Sequence, residues 1–583
     1  MKYPMINEIR ASKVITDRFY GYNHNLNIGD GEFYEALNLT SDYFPILATR
    51  KKRAVYIESI PQRGAIRTMA AGEYLCYIRG MDFIIHRSPK DETVIEGFVS
   101  GNVNSKITFM GAYAIIMPDR KYINILNPNN YGDIDHSFTT IEDTSFKICD
   151  KEGNVGEESE MPPKESEDGA FWTDTSGTEY LLKRYSASSN RWVTVADTYI
   201  KMESNAIGVG IQVGDGLKIS GIKNSDLKFL NGSVIVKDFK FRYLIVPGKI
   251  TRNITVSDEI TVERKMPDVD FLVESGNRLW GCSHKDLGNG RVVNEIYASK
   301  LGDFKNWNCF EGISTDSYAA SVGSPGKFTG AISYEGSPIF FKENCMHKIY
   351  GNFPENFQIS TTSCPGVQDG CGDSISIVNG AVYYKSSSGV CIYDGSLPVK
   401  LDDVFGEERY KAAKAGGARN KYYITMMNTR NNQGNLFTYD TVTKIWHHEL
   451  LFSNYDAFCN VSDVLYCVDG GQVLKIDSQE DDEKPIEWEA ITGDIGIDTP
   501  DMKYLSRLDI RISMGFGTKV NIFIQYDSSE TWEKVFTMTG NSLRSQTIPI
   551  KPKRCDHFRL RLQGVGDVKI YSVCKVLEYG GDE

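Results

Sequence analysis

Pro338-Ile-Phe-Phe-Lys-Glu, followed by Met346-His-Lys-Ile-Tyr-Gly, is a pair of short aromatic runs separated by a turn. The figure returns at Ala381-Val-Tyr-Tyr-Lys-Ser with Val390-Cys-Ile-Tyr-Asp-Gly, at Lys421-Tyr-Tyr-Ile-Thr-Met with Leu436-Phe-Thr-Tyr-Asp, and at Val464-Leu-Tyr-Cys-Val with Gln472-Val-Leu-Lys-Ile-Asp. These units begin near residues 336, 379, 420 and 462. Earlier copies are Glu73-Tyr-Leu-Cys-Tyr-Ile-Arg with Asp82-Phe-Ile-Ile-His-Arg, Ala112-Tyr-Ala-Ile-Ile-Met with Tyr122-Ile-Asn-Ile-Leu, and Asn277-Arg-Leu-Trp-Gly-Cys with Glu295-Ile-Tyr-Ala-Ser-Lys. A period of roughly 40 residues built on strand pairs is the spacing of four-stranded propeller blades. The expectation is an all-β protein with a β-propeller of about seven blades, six to eight being allowed. Closure pairs strands from opposite ends of the propeller sequence, and Arg53-Ala-Val-Tyr-Ile-Glu is the candidate clasp. Such a scaffold locates surfaces and leaves the chemistry open.

The chain has 583 residues, too many for one core. Its 53 glycines and 32 tyrosines favour turns and strands. A net charge of −12, spread thinly, argues against wrapping nucleic acid, which needs clustered Lys and Arg. The N-terminal stretch Met1-Lys-Tyr-Pro-Met-Ile-Asn has no apolar core of signal-peptide length, and no apolar run reaches the length of a membrane span. Synthesis in a cytoplasm, without membrane insertion, is therefore expected. The twelve cysteines are scattered, without CxxC spacing, and read as buried free thiols; Cys364 and Cys371 come nearest to a loop pair. Asn38-Leu-Thr and Asn231-Gly-Ser match a glycosylation pattern but carry no weight without a secretion signal.

Five segments follow. Residues 1–60 are an N-terminal lead-in with the candidate clasp, and 61–138 the first part of the propeller. Residues 139–267 are an inserted linker and small β domain: the acidic stretch from Asp150 to Gly169 reads as linker, and alternating strands around Gly214-Asp-Gly-Leu-Lys-Ile-Ser-Gly follow. Residues 268–484 are the second part of the propeller, ended by the acidic run Gln479-Glu-Asp-Asp-Glu-Lys-Pro. Residues 485–583 are a C-terminal β-sandwich, where Phe558-Arg-Leu-Arg-Leu puts its arginines on one face. The one candidate helix lies near Glu407-Glu-Arg-Tyr-Lys-Ala-Ala-Lys-Ala.

The chain has no GxSxG, HExxH or P-loop, and Gly208-Val-Gly-Ile-Gln-Val-Gly sits among strands rather than opening a helix. His447-His448 is the only histidine pair, and neighbours on a strand point to opposite faces, so they do not chelate one ion. Carboxylate pairs such as Asp402-Asp403 and Glu407-Glu408 would serve a glycosidase only if they faced each other across a cleft. Asp527-Ser-Ser-Glu-Thr-Trp resembles the Asp-box turn of sialidases but lacks its glycine and occurs once. Asp30, Asp215 and Asp394 are weighed as calcium ligands, with turn formation the plainer reading. Trp280, Trp307 and Trp446 read as core before sugar platforms. No catalytic residue, cofactor site or metal site is assigned. The candidate partner surfaces are the basic cluster Arg50, Lys51, Lys52 and Arg53, and the Arg559/Arg561 face, each set against a plain solvated reading.

Asn277-Arg-Leu-Trp-Gly-Cys-Ser, Leu301-Gly-Asp-Phe-Lys-Asn-Trp-Asn, Asp316-Ser-Tyr, Gly323-Ser-Pro-Gly-Lys-Phe-Thr-Gly-Ala, Phe340-Phe-Lys-Glu and Pro552-Lys-Arg-Cys-Asp-His-Phe-Arg-Leu-Arg-Leu-Gln-Gly occur in this order. Together they resemble a family of structural virion proteins from tailed phages and prophages of Gram-positive gut bacteria, from about residue 15 to the end. In outline, Asn38 to Arg53 followed by a propeller also resembles the tail hub, nozzle and stabilisation proteins of short-tailed phages. The resemblance implies a non-enzymatic virion component: a homo-oligomeric ring of the neck or tail, beside other neck, tail or portal-adaptor proteins, lining a DNA exit channel and meeting genome DNA only in passing. The rival reading is a receptor- or glycan-binding tail protein, with glycosidase activity as an option.

Overall fold

The computed structural model describes residues 10–59, 64–288, 290–401, 403–450, 455–478 and 484–579. The chain is all-β, with no α-helix among the described residues and none long and apolar enough to cross a membrane. The segment expected to be helical is instead the strand Tyr410–Ala418, whose register shifts between Lys411 and Lys414. Burial of Tyr410, Ala413 and Gly416 against neighbouring strands outweighs the helix propensity of its Lys and Ala residues.

Two compact units are present: Met1–Ile107 with Phe341–Met346 and Thr362–Glu583, and Thr108–Phe340 with His347–Thr361. In the first, Ile66–Ala71, Leu75–Arg79, Asp82–Ser88 and Asp91–Ile95 form one four-stranded antiparallel sheet. Ser376–Val378, Ala381–Ser386, Gly389–Tyr393 and Val399–Lys400 form another. Tyr410–Ala418, Lys421–Asn428, Gly434–Asp440 and Ile445–Glu449 follow. A further sheet, Tyr455–Val461, Val464–Asp469 and Gln472–Ser478, takes its fourth strand, Lys52–Ile57, from the N-terminal segment, with Leu474 opposite Val55. The acidic run Gln479 to Glu483, expected as a boundary, lies outside the described residues.

In the second unit, Lys106–Met110 opens a four-stranded sheet that ends at Tyr131–Asp133, Phe271–Ser275 one that ends at Tyr318–Ser321, and Gly330–Tyr334 one that ends at Gln358–Ser363. The second strand of each of these meanders, Tyr113–Met117, Arg278–Asp286 and Ser337–Lys342, is buried at successive positions and so on both faces. In the first unit Ala381–Ser386 is likewise buried at every position, which accounts for the unbroken apolar and aromatic run Ala381-Val-Tyr-Tyr at its start. Several hairpins turn on two successive residues of positive φ, Asn379-Gly380 and Ser462-Asp463 among them, the backbone that matches strand twist.

Residues 136–264 of the second unit form three further sheets around a core that includes Phe146, Ile200, Met202, Leu217, Leu244 and Val262. The acidic stretch read as linker contributes the strand Glu157–Ser159, parallel to Phe171–Asp174. Of the two remaining sheets of the first unit, one holds Lys503–Met514 and Val568–Tyr579 with the N-terminal strands Arg10–Thr16, Leu39–Thr40 and Leu47–Thr49. The other runs from Glu533–Thr539 through Lys519–Tyr526, Phe558–Val565 and Glu487–Thr492 to Glu32–Leu37, which meets Ile445–Glu449. The lead-in and the C-terminal stretch, separate in the sequence reading, thus share sheets.

Candidate functional site

Residues 40–52 cross from the C-terminal sheets to the strand Lys52–Ile57, and a depression opens on each side of them. The first is a groove of about 610 Å³. Its floor follows from strand alternation: Val568 and Ile570 point into the core, so Lys569 and Tyr571 point out. Lys569 is flanked in register by Ala48 and Ser513, whose small side chains leave the depression open. Tyr43, 44% exposed, lies along it with the Lys569 ammonium 3.8 Å from its ring centre, a cation–π contact. Thr49, Ser478 and Asp567 add polar groups, and Lys51 and Lys52 line one wall.

The second depression is a cleft of about 380 Å³, also bordered by Lys51. Asp42, Asp463 and Asp477 line it with Arg419, Lys421 and Lys475. Lys421 Nζ is 2.6 Å from Asp42 Oδ1 and donates to Thr40 Oγ1 at 2.9 Å, while Lys51 Nζ is 3.8 Å from Asp42 Oδ2. Burial opposes the charge on Asp42, but Lys421 and then Lys51 outweigh it and hold the carboxyl below its ordinary range. Asp469, raised by burial, lines neither depression.

The basic cluster divides in two. Arg50 and Arg53 are 5% and 4% exposed, so they are not a partner-facing surface. Arg53 Nη2 is 2.7 Å from Glu449 Oε2 and Arg50 Nε is 3.5 Å from the same oxygen. Thr438 donates to Glu449 Oε1 at 2.7 Å, and Arg50 Nε donates to Asn38 Oδ1 at 3.0 Å. Lys51 and Lys52 stay half-buried at the rims described above. Arg559 and Arg561 do share an outer face, but each is paired within the chain, Arg559 through both oxygens of Asp494 and Arg561 with Glu489.

Trp280, Trp307 and Trp446 are buried in the core. Of the calcium candidates, Asp215 is buried against Arg264, Asp30 accepts from Thr16 and Lys575, and Asp394 accepts from Ser396. Among the described residues no group of three or more His, Cys, Asp or Glu is placed to hold a metal ion. The twelve cysteines are free, ten of them buried. Asp402 lies outside the described residues.

His447 and His448 part as adjacent strand residues must: His448 Nδ1 is 2.9 Å from Glu35, whereas His447 is 2% exposed and neither ring nitrogen has a hydrogen-bond partner. Burial and then Lys421 push His447 down to about 3. The unfolded chain protonates this residue near pH 6.5 and the folded one does not, so its contribution is present above about 6.5 and is lost as pH falls toward 3. Replacing it should remove up to one proton from the slope, about 1.4 kcal/mol per pH unit. Urea midpoints of wild type and His447→Gln over mildly acid pH check this; parallel curves would refute it.

Sequence reasoning missed Tyr43, Ser513, Asp567, Lys569 and Tyr571. The only local signal was the alternation in Val568-Lys-Ile-Tyr, which shows an outward face but not what stands opposite.

No protein-family model matches the chain, and no curated protein does. Among solved structures, it aligns with an exo-beta-1,3-galactanase from Phanerochaete chrysosporium at 7% identity and TM-score 0.22, covering 52% of this chain and 94% of that one. It aligns with a Trypanosoma rangeli sialidase at 9% identity and TM-score 0.22, covering 97% and 96%. A family 43 arabinoxylan arabinofuranohydrolase from Bacillus subtilis gives 8% identity and TM-score 0.15, covering 67% and 94%. These are glycan-active enzymes. They correct the expectation of a non-enzymatic neck or tail component, with its hub, nozzle and DNA-channel roles, and leave the glycan-directed rival. No residue correspondence follows at such scores, and no catalytic residue is carried over.

Proposed function

We propose that this is a glycan-binding protein in which the seven four-stranded units that carry the repeated strand pairs are the blades of a propeller, and whose ligand lies in the groove of Tyr43, Lys569 and Tyr571. The groove carries the reading. It joins an exposed aromatic side chain with short hydroxyls and charged groups along an open trough, the combination that holds a sugar by its apolar face and its hydroxyls. The resemblance in sequence supports a place on a phage particle, where such a surface meets host polysaccharide.

Calorimetry against a panel of bacterial and plant polysaccharides tests the proposal, with reducing-end release read in the same samples. Tyr43→Ala should weaken binding roughly tenfold, about 1.4 kcal/mol, without changing the unfolding midpoint. Reducing-end release that Asp42→Asn abolishes would place hydrolysis in the adjoining cleft. Binding that survives Tyr43→Ala unchanged, or no binding to any member of the panel, would overturn the assignment of the groove.

A further inference from the structure

We propose that the turn at Asp527 and Ser528, with Asp556 and His557, forms a separate esterase centre, independent of the Tyr43 groove. Ser528 is its nucleophile, His557 its general base and Asp556 the positioning residue. Ser528 Oγ is 2.7 Å from His557 Nε2, and His557 Nδ1 is 2.9 Å from Asp556 Oδ2. A carboxylate only accepts, so in the neutral imidazole Nδ1 carries the proton; Nε2 is then the acceptor, and the Ser528 hydroxyl donates to it. That is the tautomer in which a histidine can take a serine's proton. Asp494 Oδ1 lies 4.0 Å from Nε2, but Arg559 holds both of its oxygens, at 2.6 and 3.1 Å, so it does not displace the serine.

The backbone holds this arrangement. Lys519–Tyr526 and Phe558–Val565 pair with Tyr526 opposite Phe558, which sets the turn beside the residues that precede the second strand. Asp527 N–H donates to the His557 carbonyl at 3.1 Å, and Asp527 Oδ1 accepts the Asp556 N–H at 2.7 Å. Asp527 and Ser528 both hold positive φ, +50° and +52°, a backbone that non-glycine residues keep when their surroundings enforce it. Among the described residues the Ser528 N–H makes no hydrogen bond, so it is left for the oxyanion that attack creates. Ser528 Oγ attacks an ester carbonyl as Nε2 takes its proton; the bond to the alcohol oxygen breaks, and that oxygen leaves with the proton. Water, giving its proton to Nε2, then attacks the acyl-serine, and the acid departs as Ser528 regains a proton. Residues 527–530 are all exposed, which favours a short acyl group, needing little apolar cover, on an alcohol of any size. The substrate class is therefore a short acyl ester, an acetylated sugar hydroxyl being one.

The test uses the full chain with p-nitrophenyl acetate as substrate and a fluorophosphonate as covalent label. Wild type is compared with Ser528→Ala, His557→Gln, Asp556→Ala, Asp556→Glu and the neighbouring control Ser529→Ala. The expected result is turnover by wild type, with the label found on Ser528 by peptide mass spectrometry. Ser528→Ala and His557→Gln should each lower kcat/KM by roughly 10²- to 10⁴-fold, and Ser529→Ala should leave it unchanged. Asp556→Ala should lower kcat with KM unchanged, and Asp556→Glu should restore part of the loss, a split that a merely structural role would not produce. Turnover that survives Ser528→Ala would come from acylation of other surface groups and would overturn the site. No turnover, no label, or a label on another residue would overturn it as well.

Discussion

Glu449→Ala should destabilise the first unit by about 3–5 kcal/mol, the largest effect expected of any single change here. Glu449 is 5% exposed and answers two buried guanidiniums, Arg53 at 2.7 Å and Arg50 at 3.5 Å. Removing it takes this shared carboxylate away from two buried charges whose desolvation it offsets, and that lost compensation is the cost. Arg53 belongs to the strand Lys52–Ile57, so the loss falls on the pairing that completes the sheet of Tyr455–Val461. Hydrogen exchange should show faster amides at residues 52–57 and 472–478 before the C-terminal sheets respond. Burial would raise the Glu449 carboxyl, but Arg53 and then Arg50 overcome it and bring it to about 2. Its stabilisation is therefore complete above the ordinary glutamate range near 4.5 and is lost as pH falls toward 2. Glu449→Leu combined with Arg53→Met should recover part of the loss, since a packed apolar pair replaces the buried ion pair. A midpoint for Glu449→Ala within experimental error of wild type would refute the account.

Asp215→Ala should cost a similar amount, about 3–5 kcal/mol, and should act on the second unit alone. Asp215 is 1% exposed and accepts from Arg264 Nη1 at 2.5 Å, Asn306 Nδ2 at 3.0 Å and the Gln212 N–H at 2.9 Å. Asn306 in turn receives the Gly216 N–H at 2.8 Å. The carboxylate thus ties the three inserted sheets to the segment that follows Val292–Ala298. Gly216 adds a steric condition: a Cβ there would stand 2.8 Å from Cys309 Sγ. Without Asp215, Arg264 keeps only the Ile134 and Gly210 carbonyls, both at 3.3 Å. Limited proteolysis should then cut within residues 136–264 while the first unit stays intact. Asp215→Asn keeps the shape and loses the charge, so it should fall between wild type and alanine. An unchanged cleavage pattern in Asp215→Ala would refute this.

Much of the fold was legible because it is built from local features. Two apolar and aromatic runs joined by a short turn make a hairpin from neighbouring residues alone, and each of the seven spaced pairs lies within one sheet. The alternation that set Arg559 and Arg561 on one face is equally local. The strand at Tyr410–Ala418 was misread because its Lys and Ala residues favour a helix, and only neighbouring strands overrule that preference. The charges of Arg50 and Arg53 could be read, but not their burial, because Glu449 lies about 400 residues away in sequence.

By itself, then, the sequence determined the strand pairs, their spacing, the outward faces and the strand available as a clasp, all set by the φ/ψ preferences and apolar pattern of a few neighbouring residues. The tertiary structure alone decided the site. Tyr43, Ser478, Ser513 and Lys569 meet because Leu47–Thr49 and Lys503–Met514 pair on either side of Val568–Tyr579. Such pairing is chosen by burying apolar faces across hundreds of residues, a condition that no short stretch of the chain contains.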